Sequence, residues 1–339
     1  MRAAVAQALK GLGKTSPNPA VGALLVWKGA VVSVGHHKRA GLPHAEIECL
    51  RNWKKPVPKS AILYVTVEPC STFGRTGACT DAIIKAGVRR DVIGAIDPNP
   101  RHAGRAIKLL EEAGIKVRTG ILAEKCEQVN EAYNHWIQTG CPFVIAKCGM
   151  TLDGRLTRPP NEERWITSPA SRRDAHKLRA QVDAILIGAG TLRADDPRLT
   201  VRGIAGAKQP WRIILSRSGL LPRHAHVFTD RFADKTLVYR KGKLEKILKE
   251  LGKKEITSVL IEGGGGLLGQ ALDERLIHKA MVYLGPIVTG GPVVAFAGNG
   301  AGVTSGAPKL QRAQYKRLGQ DICLTGYPAY EPAISNSVT

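Results

Sequence analysis

The sequence predicts an α/β protein of two domains. Three observations carry this. The chain has 339 residues, against a usual domain of roughly 100–200. Both halves alternate apolar strand-like runs with helical patterns, the order that gives a sheet covered by helices. Between them Thr139-Gly140-Cys141-Pro142 interrupts a helical segment just before a new strand, because Gly and Pro end regular structure. The expected domains are residues 1–141 and 142–339.

In the first half, residues 21–27 and 30–35 read as strands joined at Lys28-Gly29. A helix is expected over 45–52, closed by the turn at 56–58. Residues 61–67 form a continuous apolar strand, 80–86 a short helix ended by Gly87, and 92–96 the next strand. Ala103, Ala106, Ile107 and Leu110 fall on one helical face, stopped by Gly114. A strand over 115–118 and a helix over 124–138 complete this half. In the second half a strand starts at Phe143. Ser168-Pro169 supplies an N-cap and a first-turn proline for a helix to about residue 181. Strands are expected at 184–187, 211–215, 236–239 and 258–261, and again at 277–284 after a helix that follows glycines 263–266. The end after Tyr327 reads as frayed.

Composition narrows the function. The chain is 43% hydrophobic and 23% charged, enough apolar material for two cores, which excludes wholesale disorder. No run approaches the roughly 18 apolar residues of a membrane helix. Lys10 and Lys14 stand where a signal core would be apolar, so a mature cytoplasmic protein is expected. Seven cysteines, an odd number scattered over a long chain, argue for free thiols or a metal site. The net charge is +22. It is spread evenly, with 20 basic and 11 acidic residues in 1–141 and 30 and 17 in 142–339. Nucleic-acid binders more often concentrate basic residues in a tail or stripe, and RNA binders stack aromatics on bases, whereas this chain is 5% aromatic. Attraction of small phosphorylated ligands is the favoured reading; a basic RNA- or nucleobase-editing deaminase is the competing one.

His44-Ala45-Glu46 is followed, after a strand, by Glu68-Pro69-Cys70 and then Cys79. Imidazole and two thiolates suit Zn2+, and three protein ligands leave the open position of a catalytic site. His44 and Cys79 start helices, where a thiolate is favoured. Glu46, two residues past the histidine, can serve a water as proton shuttle without being a ligand. This resembles the zinc nucleobase deaminases, except that eight residues rather than two separate the cysteines.

Further motifs occur in order: Ser16-Pro17-Asn18-Pro19-Ala20-Val21-Gly22, Gly35-His36-His37, Gly74-Arg75-Thr76, Cys79-Thr80-Asp81-Ala82 and Asp97-Pro98-Asn99-Pro100. With them the first half resembles the deaminase domain of the bifunctional riboflavin-biosynthesis deaminase/reductase family, in which the long spacing is normal. The resemblance implies a cytidine-deaminase-like three-layer fold and one Zn2+ per chain. The implied substrate is the phosphorylated pyrimidine 2,5-diamino-6-(5-phosphoribosylamino)pyrimidin-4(3H)-one, contacted by Asn18, His37 and Arg75. Thr72 stands where the family often has His, and Gly77-Ala78 where it often has Pro-Pro.

The second half carries Leu152-Asp153-Gly154-Arg155, Trp165-Ile166-Thr167-Ser168-Pro169, Leu178-Arg179-Ala180-Gln181, Gly190 through Pro197, Leu199-Thr200-Val201-Arg202 and Glu262-Gly263-Gly264-Gly265-Gly266. The glycine run before a helix suits close approach of a phosphate. Together these resemble the reductase domain of the same family. That implies a dihydrofolate-reductase-like fold and NADPH reduction of the ribosyl group to ribityl. By motif, Trp165, Thr191, Asp195 and Gly264, Gly265, Gly266, Leu267, Leu268, Gly269 and Gln270 would line the NADPH site. Arg179, Leu199, Arg202 and Glu262 would hold substrate, the arginines as phosphate clamps. Glu163 lies where the family often has a substrate-contacting Ser and is left out of this set. Expected partners are the small substrate and further copies of the chain through the reductase half, with no nucleic acid and no membrane. A chain with only the deaminase half active remains the alternative within the same class.

Overall fold

The computed structural model describes residues 1–72, 77–157 and 165–330. The chain divides into two compact units, residues 1–142 with 251–257, and residues 143–250 with 258–339.

The first unit has a five-stranded sheet in the order β2-β1-β3-β4-β5. Its elements are α1 (Arg2–Ala8), β1 (Gly22–Trp27), β2 (Ala30–His36), α2 (Ala45–Trp53), β3 (Ile62–Val67), α3 (Cys79–Lys85), β4 (Arg90–Ala95), α4 (Arg105–Glu112), β5 (Lys116–Arg118), α5 (Ala123–Val129) and α6 (Glu131–Thr139). β1 runs antiparallel to β2 and β3, and β3, β4 and β5 are parallel. Alternate residues of β1 and β3 face one core, where Ala23, Leu25, Leu63 and Val65 meet Ala45 and Cys49 of α2, Ile83 of α3 and Leu110 of α4. The other face takes α1, whose main chain lies where a side chain at Gly22 would go, and α5, whose Cys126 lies over Gly94. The result is helix, sheet, helix.

Two expectations change here. Residues 2–8 form a helix that the reading left unassigned, and the single helix expected over 124–138 is two, broken at Asn130. The break has a cause. The buried Asn130 amide accepts from the Ala20 N–H at 2.7 Å and donates to the Ala20 carbonyl at 2.9 Å. The anchored Asn130 sits at φ -112, ψ 21, outside the helical region, and becomes the N-cap residue of α6.

The second unit has an eight-stranded sheet, β12-β13-β11-β6-β10-β7-β8-β9. Its elements are β6 (Phe143–Thr151), α7 (Pro169–Arg179), β7 (Ala184–Gly188), α8 (Ala189–Asp195), β8 (Trp211–Leu215), α9 (His226–Thr229), β9 (Thr236–Tyr239), α10 (Leu244–Lys253), β10 (Ser258–Ile261), α11 (Gly265–Asp273), β11 (Lys279–Gly285), β12 (Lys309–Leu318) and β13 (Asp321–Ala329). Strands β11 through β9 are parallel, and the β12–β13 hairpin adds antiparallel at one edge. Central β7 and β10 are continuously buried, as strands covered on both faces must be. Ser168 caps α7 as expected, its hydroxyl accepting from the Ser171 N–H at 3.5 Å. The hairpin was not anticipated: β12 is almost wholly exposed, so no apolar alternation announces it. The last strand also runs to Ala329, past the point where the chain reads as frayed.

Candidate functional site

The first unit gathers its chemistry where β2 and β3 end and α2 and α3 begin. Gly35 has no side chain, so α2 packs directly on β2; a Cβ there would sit 2.2 Å from the Ala45 carbonyl oxygen. That seats His44 as the N-cap residue of α2 and Glu46 in its first turn. Cys79 opens α3, and its N–H donates to Cys70 Sγ at 3.3 Å. His44 Nδ1 lies 3.5 Å from Cys70 Sγ and 3.4 Å from Cys79 Sγ. One donor atom from each residue lies within 4.8 Å of the others, and among the described residues no other such His/Cys/Asp/Glu group occurs. A His, Cys, Cys donor set this tight fits zinc. The Cys79 thiol and the His44 ring both donate toward Cys70, which draws the Cys70 thiol down toward the thiolate. The same contact raises His44.

Glu46 is 3% exposed, and its Oε2 has no hydrogen-bond partner. An orphaned buried carboxylate oxygen costs free energy unless something arrives to use it. Burial raises the Glu46 carboxyl, so it holds a proton more readily than an exposed glutamate. Asn18 and His37 lie together beside this group. Asn18 Nδ2 donates to His37 Nε2 at 3.1 Å, and His37 Nδ1 donates to the Pro43 carbonyl at 3.1 Å. The His37 and His44 rings meet edge to face at 5.0 Å. Burial keeps His37 neutral, consistent with one ring nitrogen donating and the other accepting. Arg75 lies outside the described residues, as does Glu163.

Glu68 of the Glu68-Pro69-Cys70 motif is not a ligand. Its buried carboxylate accepts from the backbone N–H groups of Asp97, Gly104 and Ala106 at 3.3, 2.9 and 3.0 Å. It ties the Asp97–Arg105 loop and the start of α4 to the strand that delivers Cys70, a positioning role that its motif alone did not disclose.

In the second unit, Glu262 follows β10 and Arg179 ends α7. They form a two-pronged pair at 2.6 and 2.8 Å, the planar geometry guanidinium favours. Lys147 of β6 adds its Nζ at 3.8 Å from Glu262. Burial alone would raise the Glu262 carboxyl; the Arg179 and Lys147 charges outweigh it and hold it at about 2. Arg202 donates through Nη1 to Thr200 Oγ1 at 3.3 Å, and its backbone N–H donates to His176 Nδ1 at 3.2 Å. Burial and the flanking Arg179 and Arg202 push His176 down to about 4. Lysine 147 and two arginines thus surround one carboxylate, with the histidine neutral. Excess positive charge around a paired carboxylate suits an anion. Lys147 was missed in the sequence because one lysine in an apolar strand carries no spacing signal. Leu199 is buried at φ +50.

The expected cofactor segment is the start of α11. Gly264 has φ +56, and a Cβ there would sit 3.0 Å from Thr191 Oγ1, so Thr191 and the glycine run are in close approach. Gly266 faces open space. Leu267 and Leu268 are buried, their N–H groups bonded to the Gly264 carbonyl, and Gly269 packs on Ala297–Gly298, so these residues seat the helix. Glycines 265 and 266 already belong to the helix, rather than preceding it. An open helix start lined by small residues fits a dinucleotide phosphate. Gln270 bonds Glu274 at 2.8 Å. Trp165 is 47% exposed under the Arg172 guanidinium, 4.7 Å from its ring centre. Asp195 is the exposed last residue of α8.

Comparison with known proteins decides the family. Residues 1–95 match the cytidine and deoxycytidylate deaminase zinc-binding region, and residues 142–324 match the RibD C-terminal domain. The riboflavin biosynthesis protein RibD of Bacillus amyloliquefaciens is 37% identical over 97% of this chain and 95% of its own. This chain belongs to the RibD family. The Escherichia coli RibD is also 37% identical, over 96% of this chain and 97% of its own. RibD of Acinetobacter baumannii superposes with a TM-score of 0.88 at 33% identity, covering 97% of both chains. The Thermotoga maritima diaminohydroxyphosphoribosylaminopyrimidine deaminase/5-amino-6-(5-phosphoribosylamino)uracil reductase superposes with a TM-score of 0.90 at 30% identity, again over 97% of both. Like its RibD relatives, the chain is a bifunctional deaminase/reductase of riboflavin biosynthesis, with a zinc-binding, cytidine-deaminase-like N-terminal domain and a RibD-type reductase domain after it. None of its described helices is long and apolar enough to cross a membrane.

Proposed function

We propose that residues 1–141 remove the 2-amino group of 2,5-diamino-6-(5-phosphoribosylamino)pyrimidin-4(3H)-one as ammonia, and that residues 142–339 then reduce the ribosyl side chain of the product to ribityl with NADPH. The observation that carries the first step is the orphaned Glu46 Oε2 beside the His44, Cys70 and Cys79 donors. Bound zinc supplies the Lewis acidity that makes water a usable nucleophile near neutral pH. Glu46 takes the proton of the attacking water at Oε2, holds it because burial favours its neutral form, and delivers it to the departing amine. Asn18 and His37, locked to one another and to Pro43, hold the pyrimidine edge, with Arg75 on the substrate phosphate.

For the second step NADPH supplies the hydride. The backbone of Gly264–Gln270, with Thr191, Trp165 and Asp195, holds that cofactor. Arg179, Arg202 and Lys147 take the substrate phosphate, while Glu262 fixes the Arg179 plane and balances part of its charge. The same reading makes the net charge of +22 an attractant for small phosphorylated metabolites in the cytoplasm rather than for nucleic acid. Self-association through the reductase domain is supported by Tyr315, 74% exposed on the edge strand β12.

The test is incubation of the purified protein with the diaminopyrimidinone phosphate, followed by mass analysis and metal determination. Without NADPH the expected product has exchanged an amino group for oxygen. With NADPH it has also gained the equivalent of a hydride and a proton. One zinc per chain should accompany activity. Unchanged substrate under both conditions, with zinc bound, would overturn the assignment.

A further inference from the structure

The loop that carries Arg202 has no strand or helix of its own, so its backbone groups need partners from elsewhere. They come from side chains of α7 and β8 and from the far end of the same connection. Arg212, only 1% exposed, donates to the Arg198 carbonyl at 3.3 Å. Arg179 donates to the Thr200 carbonyl at 3.0 Å. Gln209 does more. Its Oε1 accepts from the Val201 N–H at 2.8 Å, and its Nε2 donates to the Val201 carbonyl at 3.0 Å. One side-chain amide thus satisfies both polar groups of one residue, as a neighbouring strand would.

The consequence reaches the next residue. Leu199, Thr200 and Val201 are all buried, 2%, 8% and 6% exposed, while Arg202 is exposed. Pinning Val201 from both sides fixes the last residue of this buried run and so fixes where Arg202 emerges. The arrangement needs such bracing. Leu199 holds a left-handed backbone at φ +50, which costs a residue with a Cβ on the order of 1 kcal/mol. The Arg202 guanidinium is also held close to the Arg179 and Arg198 charges, which lower its pKa after burial has done so. Unbraced, it would swing away from them into solvent.

We propose that Gln209 is a positioning residue of the reductase site: its amide clamp on Val201 holds Arg202 beside Arg179, ready for the substrate phosphate. This rests on the reading above, in which Arg202 contacts that phosphate. Gln209 itself touches neither substrate nor cofactor. Its contribution is preorganisation, which saves ordering cost on binding.

The test uses the full chain and the deaminated phosphoribosylaminouracil. Gln209→Met keeps length and removes the amide; Gln209→Glu keeps the acceptor for Val201 N–H and loses the donor. For Gln209→Met the substrate KM should rise about 10-fold, with kcat and the NADPH KM each within about 2-fold and ammonia release by the deaminase unchanged. Gln209→Glu should fall between it and the parent. Adding Gln209→Met to Arg202→Ala should cost little further, because the clamp acts through Arg202. A substrate KM unchanged in both Gln209 variants would overturn the proposal. So would losses that multiply independently in the double variant, or kcat and both KM values moving together. If Gln209→Met fails to fold by circular dichroism, Gln209→Glu decides by the same KM against kcat split. A parent protein that reduces nothing would overturn the underlying reading of the site; a fully active parent with indifferent variants sinks only the clamp.

Discussion

The two units build their sites on opposite electrostatic plans. The N-terminal site gathers one imidazole and two thiol donors within 4.8 Å and leaves a buried carboxylate oxygen unpartnered. The C-terminal site is already balanced: Glu262 is bonded to Arg179 and approached by Lys147, with surplus positive charge at its edge. A zinc donor set is recognisable by residue type, because few side chains bind zinc. A carboxylate already paired with arginine and lysine looks, residue by residue, like an ordinary ion pair. The difference teaches why one site is legible from spacing and the other needs a whole set of motifs.

Breaking the balanced site should give a large loss of stability at any pH. Glu262→Ala strands Arg179, whose side chain is 14% exposed. Leaving a buried charge unpaired costs about 3–5 kcal/mol. Chemical denaturation followed by a probe in the reductase unit should show that loss while the deaminase unit retains ammonia release. A change below about 1 kcal/mol, the scale of a surface pair, would mean that Arg179 finds another partner and that the balance described is incidental.

A pH-dependent effect lies in the other unit, outside its donor set. Asp91 in β4 is 1% exposed, and neither carboxylate oxygen has a partner. Burial, with a contribution from Glu46, pushes its carboxyl up to about 8. The unfolded value is about 3.9, so the folded state binds more protons between those limits. Stability should therefore fall as pH rises from about 4 to about 8, by up to about 1.4 kcal/mol per pH unit from this one group. Asp91→Asn should flatten that slope in denaturation measured across the range. An unaltered slope would show that Asp91 stays ionised with a partner.

What the sequence disclosed follows the same physics. The convergence of His44, Cys70 and Cys79 could be expected because ligand chemistry restricts residue type and the element ends predict it, and Glu46 was singled out by its place two residues past the histidine. Asn18 and His37 needed the family resemblance, since a turn asparagine and a loop histidine carry no chemistry of their own until they bond each other. Lys147 and Gln209 escaped because a strand lysine and a glutamine before proline look like surface residues. Asp91 escaped because the apolar strand was read from residue 92, leaving it in the preceding turn. The break at Asn130 was illegible because its cause is a tertiary bond to Ala20, 110 residues away. The β12–β13 hairpin carries Lys, Arg and Gln on its outer strand, so its pattern is that of a solvated segment. Fold class and the order of the other strands were readable, because both sheets are built on continuous apolar strands, while α8, α9 and α10 were not read.

The central claim is that one chain holds two chemically independent sites, and one variant tests it directly. Glu46→Gln preserves shape but cannot accept the water's proton. With the diaminopyrimidinone phosphate, ammonia release should drop by about 10²-fold or more, while zinc content stays at the parent level. With the deaminated phosphoribosylaminouracil supplied instead, the same protein should oxidise NADPH at the parent rate. Ammonia release near the parent rate would place the proton transfer elsewhere. Loss of NADPH oxidation in a folded Glu46→Gln protein would contradict the independence of the two sites.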